Sequence, residues 1–329
     1  MKTTIFFTLL TGLVCFSFGQ RTLNGEPLAS TYSIVAKDAV TGKMGVAVQS
    51  HWFSVGTLVS WGEAGVGVIA TQSFVNPSFG PRGLAMMKSG MDAQATLDSL
   101  LKTDEGREVR QVAIVDMEGN VAAHTGDSCI PKAGHLLGQG YAVQANLMAK
   151  ETVWPSMAKA FESTPGPLAE RMAEALLAAD EDCGDIRGKQ SAALLIVNPF
   201  ATGNPWEDRV VDLRIEDHPN PTQEMKRLLK VHRAYEHMNR GDLSVEEGKM
   251  DEAMKAYAKA EELFPENEEM KFWHAVTLAN TGKVDEALPL FRLVFAQNAD
   301  WKTLVVRLRP VNLLTVSDED LSRILSVIE

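Results

Sequence analysis

Thr31-Tyr-Ser-Ile-Val-Ala-Lys37 and Met44-Gly-Val-Ala-Val-Gln49, joined by the turn Asp38-Ala-Val-Thr-Gly42, decide the fold of residues 31–216. The first run alternates, the second is rich in valine, and the connection carries Asp and Gly, so the pair is expected to form a hairpin. Gly65–Thr71 is β-branched and Gly-rich, which suits a buried strand in close backbone contact. Helical periodicity follows over Pro77–Ser89 and Asp92–Lys102, with Pro77 near the start of the first and Asp92 placed to cap the second. Val109–Asp116 and Asn120–His124 flank Met117-Glu-Gly119 as another hairpin, and Tyr141–Leu147 reads as a strand. Thr152–Glu162 and Pro167–Ala179 are amphipathic, and Ser191–Val197 and Arg209–Ile215 close the domain as strands. Adjacent strands interrupted by paired helices predict an α+β layered domain, not a doubly wound parallel sheet. Two helical pairs and two groups of strands fit a four-layer αββα sandwich.

Glu216-Asp-His-Pro-Asn-Pro221 is turn-rich and marks a boundary, which sets one domain at residues 31–217 and a second at 222–329. Beyond it Gly248-Lys-Met-Asp-Glu-Ala253 recurs as Gly282-Lys-Val-Asp-Glu-Ala287. The offset is 34 residues, the period of the tetratricopeptide repeat. Ala253, Tyr257, Ala260 and Pro265 in one copy, and Ala275, Leu278, Ala287, Phe291 and Val294 in the other, supply the small and aromatic positions such helix pairs need. The second domain is therefore expected to be a small all-α helical repeat. Two repeats fall short of the usual minimum for stability. They must lean on the first domain, on a second copy, or on further helices around Glu224–Arg240 and Ser317–Val327.

The 329 residues begin with a targeting signal. Lys2 precedes an apolar run from Ile5 to Phe18, and Gly19-Gln20 offers a small-residue cleavage point. Residues 1–19 are read as a signal peptide and 20–30 as an N-terminal extension, so the chain is expected to be exported, to a periplasm or beyond the cell. Val14 stands before Cys15 where a lipoprotein signal wants a small residue. No later run supplies the roughly 20 apolar residues of a transmembrane helix. Cys129 and Cys183 remain, an even count that permits one disulfide or leaves two thiols. The net charge of −11 argues against nucleic acid and anionic membrane as partners.

Thr31-Tyr-Ser-Ile-Val-Ala-Lys-Asp38, Gly45-Val-Ala-Val-Gln-Ser50, Gly65-Val-Gly-Val-Ile-Ala-Thr-Gln72, Asn76-Pro-Ser-Phe-Gly-Pro-Arg-Gly83, Arg110-Gln-Val112, His124-Thr-Gly126 and Arg187-Gly-Lys-Gln-Ser-Ala-Ala193 resemble the family catalogued as domain of unknown function 1028. The resemblance covers roughly residues 30 to 216. That family is grouped with the N-terminal-nucleophile (Ntn) hydrolases, and some members carry a helical-repeat tail. The resemblance implies the αββα sandwich and, with it, amide hydrolysis. Ntn chemistry requires a Thr, Ser or Cys at the start of the mature chain, whose own α-amine, with a pKa near 8, takes the proton from the side-chain nucleophile.

Thr31 matches the family's leading Thr and is the candidate nucleophile; otherwise it is a β-former opening a strand. Signal cleavage leaves residues 20–30 in front of it, so a second cut between Ser30 and Thr31 is required. Ser33 shares the face of Thr31 but lies inside the chain. Asn146, in Gln144-Ala-Asn146, is the candidate oxyanion donor. His51 is placed to orient substrate or share a proton, or is a satisfied loop histidine. Gln72 and Asn76 can supply amide donors, although Asn76-Pro77 also reads as turn chemistry. Arg82 can fork onto a carboxylate or pair on a helix surface. His124, with Thr125 and Asp127, lies at a strand end. Asp185, Arg187, Gln190 and Ser191 form the densest polar cluster, a substrate-recognition loop or an ion pair that shapes a turn. No Lys occurs from Met44 to Met87, which argues against a lysine-tuned threonine peptidase.

No phosphate-cradling loop, nucleophile elbow, calcium loop or paired Cys/His spacing is present, so no cofactor and no metal are expected. Two functions follow. One is an exported amidohydrolase acting on a small amide or peptide-like substrate. The other is a catalytically silent sandwich that binds, with the repeats docking a protein partner or forming a homodimer.

Overall fold

The computed structural model describes residues 22–23, 26–29 and 31–328. The expected signal peptide, and Ser30 where the second cut is expected, lie outside the described residues. The N-terminal part runs β1 (Thr22–Leu23), β2 (Glu26–Ala29), β3 (Thr31–Lys37), β4 (Met44–Ser50), a single helical turn α1 (Gly56–Val59), β5 (Ser60–Glu63) and β6 (Gly67–Phe74). The helices α2 (Phe79–Lys88) and α3 (Ala93–Lys102) follow, then β7 (Arg110–Asp116), β8 (Val121–Thr125), β9 (Gly134–Gly138) and β10 (Tyr141–Ala145). A second helix pair, α4 (Val153–Ser163) and α5 (Leu168–Glu181), leads to β11 (Ser191–Val197) and β12 (Arg209–Ile215).

The strands make two antiparallel sheets. One has the order β12-β11-β4-β3-β10-β9. In the other β1-β2-β6-β7-β8 run in that order, and β5 shares an edge of β6 with β2. The expected β3–β4 hairpin forms with Thr31 opposite Ser50 and Lys37 opposite Met44. Alternation then sorts the side chains. Val35, Val46, Val48, Val68, Ala70, Ala113 and Val115 pack between the sheets. Tyr32, Ile34 and Ala36 face α4 and α5, while Ile69, Val112 and Ile114 face α2 and α3. The result is a helix pair, two sheets and a second helix pair in four layers. Asp92 caps α3 as expected, its carboxylate accepting from Ala95 N–H. The short strands β5 and β9 and the β1–β2 hairpin are not foreseen in sequence. Ser60-Trp-Gly-Glu63 and Gly134-His-Leu-Leu-Gly138 are too short and Gly-rich to carry a strand signal, and they exist because a neighbouring strand offers an open edge. Cys129 is buried, Cys183 exposed, and both are free, so the disulfide that the even count permitted is not made.

The C-terminal part is helical: α6 (Pro221–Glu246), α7 (Met250–Leu263), α8 (Glu268–Asn280), α9 (Val284–Gln297), α10 (Asp300–Leu308) and α11 (Asp318–Leu325). The recurrent Gly-Lys pairs end α6 and α8 in the same way. Gly248 and Gly282 take φ of 72° and 79°, a left-handed turn that glycine enters without a Cβ penalty. Gly248 N–H bonds Val245 and Lys249 N–H bonds Ser244, and Gly282 and Lys283 bond Ala279 and Leu278 alike. This double closure satisfies the last carbonyls of each helix and turns the chain into the next. At Gly241 a Cβ would lie 2.6 Å from the Tyr257 ring, so glycine there lets α6 and α7 approach closely. The repeats lean on the first domain through α6, whose Met225 and Leu229 join the core beneath α5 and β11. Arg233 ties the same helix to Glu170 of α5. At the other end α10 and α11 close the core of α8 and α9. No helix among the described residues is long and apolar enough to cross a membrane.

Candidate functional site

One end of the layer between the sheets is polar. Cross-strand register sets Ser191 opposite Ser50 and Ser50 opposite Thr31, three hydroxyls abreast at the same sheet end. All three are fully buried. Ser33, Gln144 and Asn146 extend this patch along β3 and beyond β10, and Gln72 and Gln111 face it from the other sheet. Each stands at a position whose parity elsewhere in its strand is apolar.

Buried polar groups need partners, and here they find one another. Thr31 Oγ1 donates to the carbonyl of Ala29 at 2.6 Å and lies 3.2 Å from Ser50 Oγ. The carbonyl of Thr31 accepts from Gln72 Nε2 at 3.1 Å, from Asn146 N–H at 3.1 Å and from Asn146 Nδ2 at 3.4 Å. Gln111 fixes both amides: its Oε1 accepts from Gln72 Nε2 at 2.7 Å and from Asn146 Nδ2 at 3.0 Å. Its Nε2 faces Thr125 Oγ1 and the carbonyls of Ala145 and Gly134 at 2.9–3.1 Å. Ser33 Oγ donates to Gln72 Oε1 at 2.7 Å and accepts from Gln144 Nε2 at 3.2 Å. The network carries no formal charge, so the donors stay amides and hydroxyls over a wide pH range.

Two loops close this end. Asp185, its side chain fully buried, accepts from Arg187 N–H at 2.9 Å, Arg187 Nε at 3.0 Å and Arg187 Nη2 at 2.7 Å. It also faces the backbone N–H of His51 at 3.4 Å. Asp185 and Arg187 thus form the turn-shaping pair, which in addition fastens the loop to the end of β4. Gln190 binds the backbone of Ser50 and donates to Asp217 at 3.2 Å. Ser191 Oγ accepts from Val55 N–H at 3.1 Å and bonds the carbonyl of Trp52, so it shapes the His51–Val55 loop. On the opposite face of β3, Tyr32 bonds Asp180, which is shared with Thr222 of α6 and with Lys189 at 3.1 Å. Burial, and then the Asp180 carboxylate, push the Tyr32 phenol well above its ordinary range.

The structure brings Thr31, Gln72, Asn146 and Ser191 together, with His51, Asp185, Arg187 and Gln190 in the loops around them. Three other candidates stand apart. Arg82 donates to Thr103 Oγ1 on a helix surface. Asn76 Oδ1 accepts from Ser78 N–H and Oγ, the turn chemistry its sequence also allowed. His124, half-buried on β8, meets the Arg107 carbonyl through Nε2 at 2.9 Å. Sequence reasoning passed over Ser50, Gln144 and, above all, Gln111. The available signal was parity: Gln111 shares a face with Ala113 and Val115 and interrupts an otherwise apolar row. Among the described residues no group of three His, Cys, Asp or Glu is placed to hold a metal ion.

Thr31 has no route to solvent in the described chain. Leu28 and Ala29 are buried, and β2 pairs with the end of β6, Ala29 opposite Ser73. The chain before Thr31 is thus built into the edge of the second sheet, and Thr31 is buried.

A mixed α/β domain of antiparallel sheets with a polar interior end, followed by helical repeats, is the class this structure defines. The sequence model described as "Family of unknown function (DUF1028)" matches residues 31–225, more than half of the chain, and the chain belongs to that family. A tetratricopeptide-repeat model matches residues 244–309. Among solved structures, a member of the same family from Silicibacter pomeroyi is similar, with 29% identity and a TM-score of 0.55 over 61% of this chain and 88% of that one. Anbu (ancestral beta-subunit) from Yersinia bercovieri gives 13% identity and a TM-score of 0.31 over 60% of this chain and 92% of that one. No curated protein matches the chain.

Proposed function

We propose that the chain is an exported Ntn-type hydrolase that cleaves an amide bond in a small or peptide-like substrate, with Thr31 as nucleophile once the residues before it are removed. The observation that carries this reading is the position of Thr31 at the head of β3 between two sheets, its hydroxyl beside Ser50 Oγ and its carbonyl held by the Gln72 and Asn146 amides. Cleavage before Thr31 would free its α-amine and remove the hairpin that covers it. The amine then takes the proton of Oγ1, directly or through Ser50, as Oγ1 attacks the substrate carbonyl carbon. Asn146 Nδ2 and Gln72 Nε2, which hold the Thr31 carbonyl and Gln111 Oε1 in the closed site, are the candidate oxyanion donors once the site opens. The leaving amine takes the proton, an ester to Thr31 forms, and water attacks that ester to regenerate the hydroxyl. Export is inferred from the leader over Ile5–Phe18. The repeats supply a surface for a protein partner or a second copy.

One observation favours the second reading, a binding protein without catalysis: the β1–β2 hairpin before Thr31 is integrated into a sheet, and Thr31 is fully buried. Mass spectrometry of the mature N-terminus separates the two. A chain that starts at Thr31 supports hydrolysis, and one that starts at Gln20 with an intact Ser30–Thr31 bond supports binding. On the first reading, Thr31→Ala lowers amidase activity by at least ~10³-fold with an unchanged near-ultraviolet spectrum. Full turnover by that variant removes Thr31 from the mechanism.

A further inference from the structure

A cavity of about 580 Å³ opens at the seam between the two parts of the chain, at the far end of the sandwich from Thr31. Leu168, Ile196 and Val211 give it an apolar floor. Lys43, at the end of the β3–β4 turn, lines it from one side, and Arg233, Glu236 and Arg240 of α6 line it from the other. Its size falls within the range of about 300–1,000 Å³ of small-molecule sites, which favour such junctions.

The charges in its lining are not balanced. Asp38 is spent on its own turn, accepting from Thr41 N–H at 2.7 Å and Thr41 Oγ1 at 2.8 Å, with Arg171 at 3.6 Å. Glu236 is held by Arg233 at 2.6 Å and His232 at 3.6 Å. Burial pushes its carboxyl up, but the nearby His232 and the hydrogen bond and charge of Arg233 outweigh that and set it at about 2, so it is ionised and occupied. Arg233 also forks onto Glu170 at 2.7 and 2.9 Å. Lys43 and Arg240, by contrast, make no ion pair and no side-chain hydrogen bond among the described residues. Two uncompensated cations beside an apolar floor complement a ligand with the reverse layout.

We propose that this seam binds an amphipathic carboxylate, with the apolar body on Ile196 and Val211 and the carboxylate between Lys43 and Arg240. Burial of the body supplies most of the affinity, and each half-exposed ion pair adds little. The cations therefore act mainly as selectors of the head group. The same chemistry is offered by a free aliphatic acid and by the C-terminus of an apolar peptide.

Isothermal titration of the full mature chain tests this with decanoate, decanol, and an apolar pentapeptide whose C-terminus is free or amidated. At least one carboxylate binds, and its neutral counterpart binds about tenfold or more weakly. The double variant Lys43→Glu, Arg240→Glu loses about tenfold in affinity, since two half-exposed pairs are replaced by repulsion. Its melting temperature is unchanged, because neither side chain holds another. Decanoate alone identifies a free acid, and the free-ended peptide alone identifies a chain end. No binding of either carboxylate at millimolar concentration, equal affinity for the neutral probes, or an unaltered double variant each overturns the proposal.

Discussion

The two ends of the inter-sheet layer are built on the same strands and obey opposite rules. At one end Val46, Val68, Val115, Leu195 and Val197 meet through surface alone. Such a contact is non-directional, and a neighbour of similar volume would serve. At the other end Thr31, Ser33, Gln72, Gln111 and Asn146 meet through donors and acceptors at fixed distances. There the partner's identity and orientation matter, because a buried group left without a partner costs more than a made bond contributes. The apolar end therefore supplies stability, and the polar end supplies a defined geometry. That division fits the hydrolase proposed above, in which Thr31 has to be held still.

The largest break in this comparison is a charge at the apolar end. Val46 is fully buried opposite Leu195, and Val46→Asp leaves a carboxylate with no partner, a cost of several kcal/mol that rivals the roughly 5–15 kcal/mol of a whole domain. The expected result is loss of the near-ultraviolet circular dichroism of the sandwich. A native spectrum would mean that the layer is wetter than its packing implies.

Next in size is the hub of the polar end. Gln111→Leu nearly conserves volume but withdraws the acceptor from Gln72 and Asn146 and the donor from Thr125 and Ala145. About 3 kcal/mol of stability should be lost in urea unfolding, with an unchanged slope. A loss no larger than that of an ordinary surface substitution would show that the amides re-pair without Gln111.

The smallest effect sharpens the comparison at its edge. Arg110, one residue before Gln111, points to the other face of β7 and binds Asp104 at 2.6 Å, both nearly buried. Burial pushes the Asp104 carboxyl up, but the Arg110 hydrogen bond, the Gly106 N–H and the Arg110 charge outweigh it and hold the group below its ordinary value. A carboxyl depressed in the folded state stabilises above its unfolded pKa and loses that contribution as pH falls through the folded one. Asp104→Asn should cost about 2 kcal/mol at pH 7. The difference from the parent should shrink below pH 4, when melting temperatures are compared across acid pH. A difference that stays constant would assign the effect to packing alone.

Much of the architecture was legible because it is local. The alternation of Thr31–Lys37, the cap at Asp92 and the 34-residue return of Gly-Lys at 248 and 282 are set by the period of each element and by the φ of single residues. Thr31 and Gln72 were singled out in the motifs that carry the family resemblance and Asn146 in Gln144-Ala-Asn146, and these three meet in the network, whereas Arg82, Asn76 and His124, also from those motifs, lie outside it. Motif membership does not report direction or depth. Gln111 was visible only as a polar residue out of step with its row.

By itself the sequence determined the long strands and helices and their order, the helical repeats and the break near Pro221, because periodicity, capping and turn chemistry act over a few residues. Only the tertiary structure decided which edges pair, that residues 26–29 join the second sheet beside β6, and which polar groups meet. Gln111 reaches partners 14, 34, 35 and 39 residues away. Whether a buried amide is satisfied depends on distances between strands remote in the chain, and no local pattern encodes them.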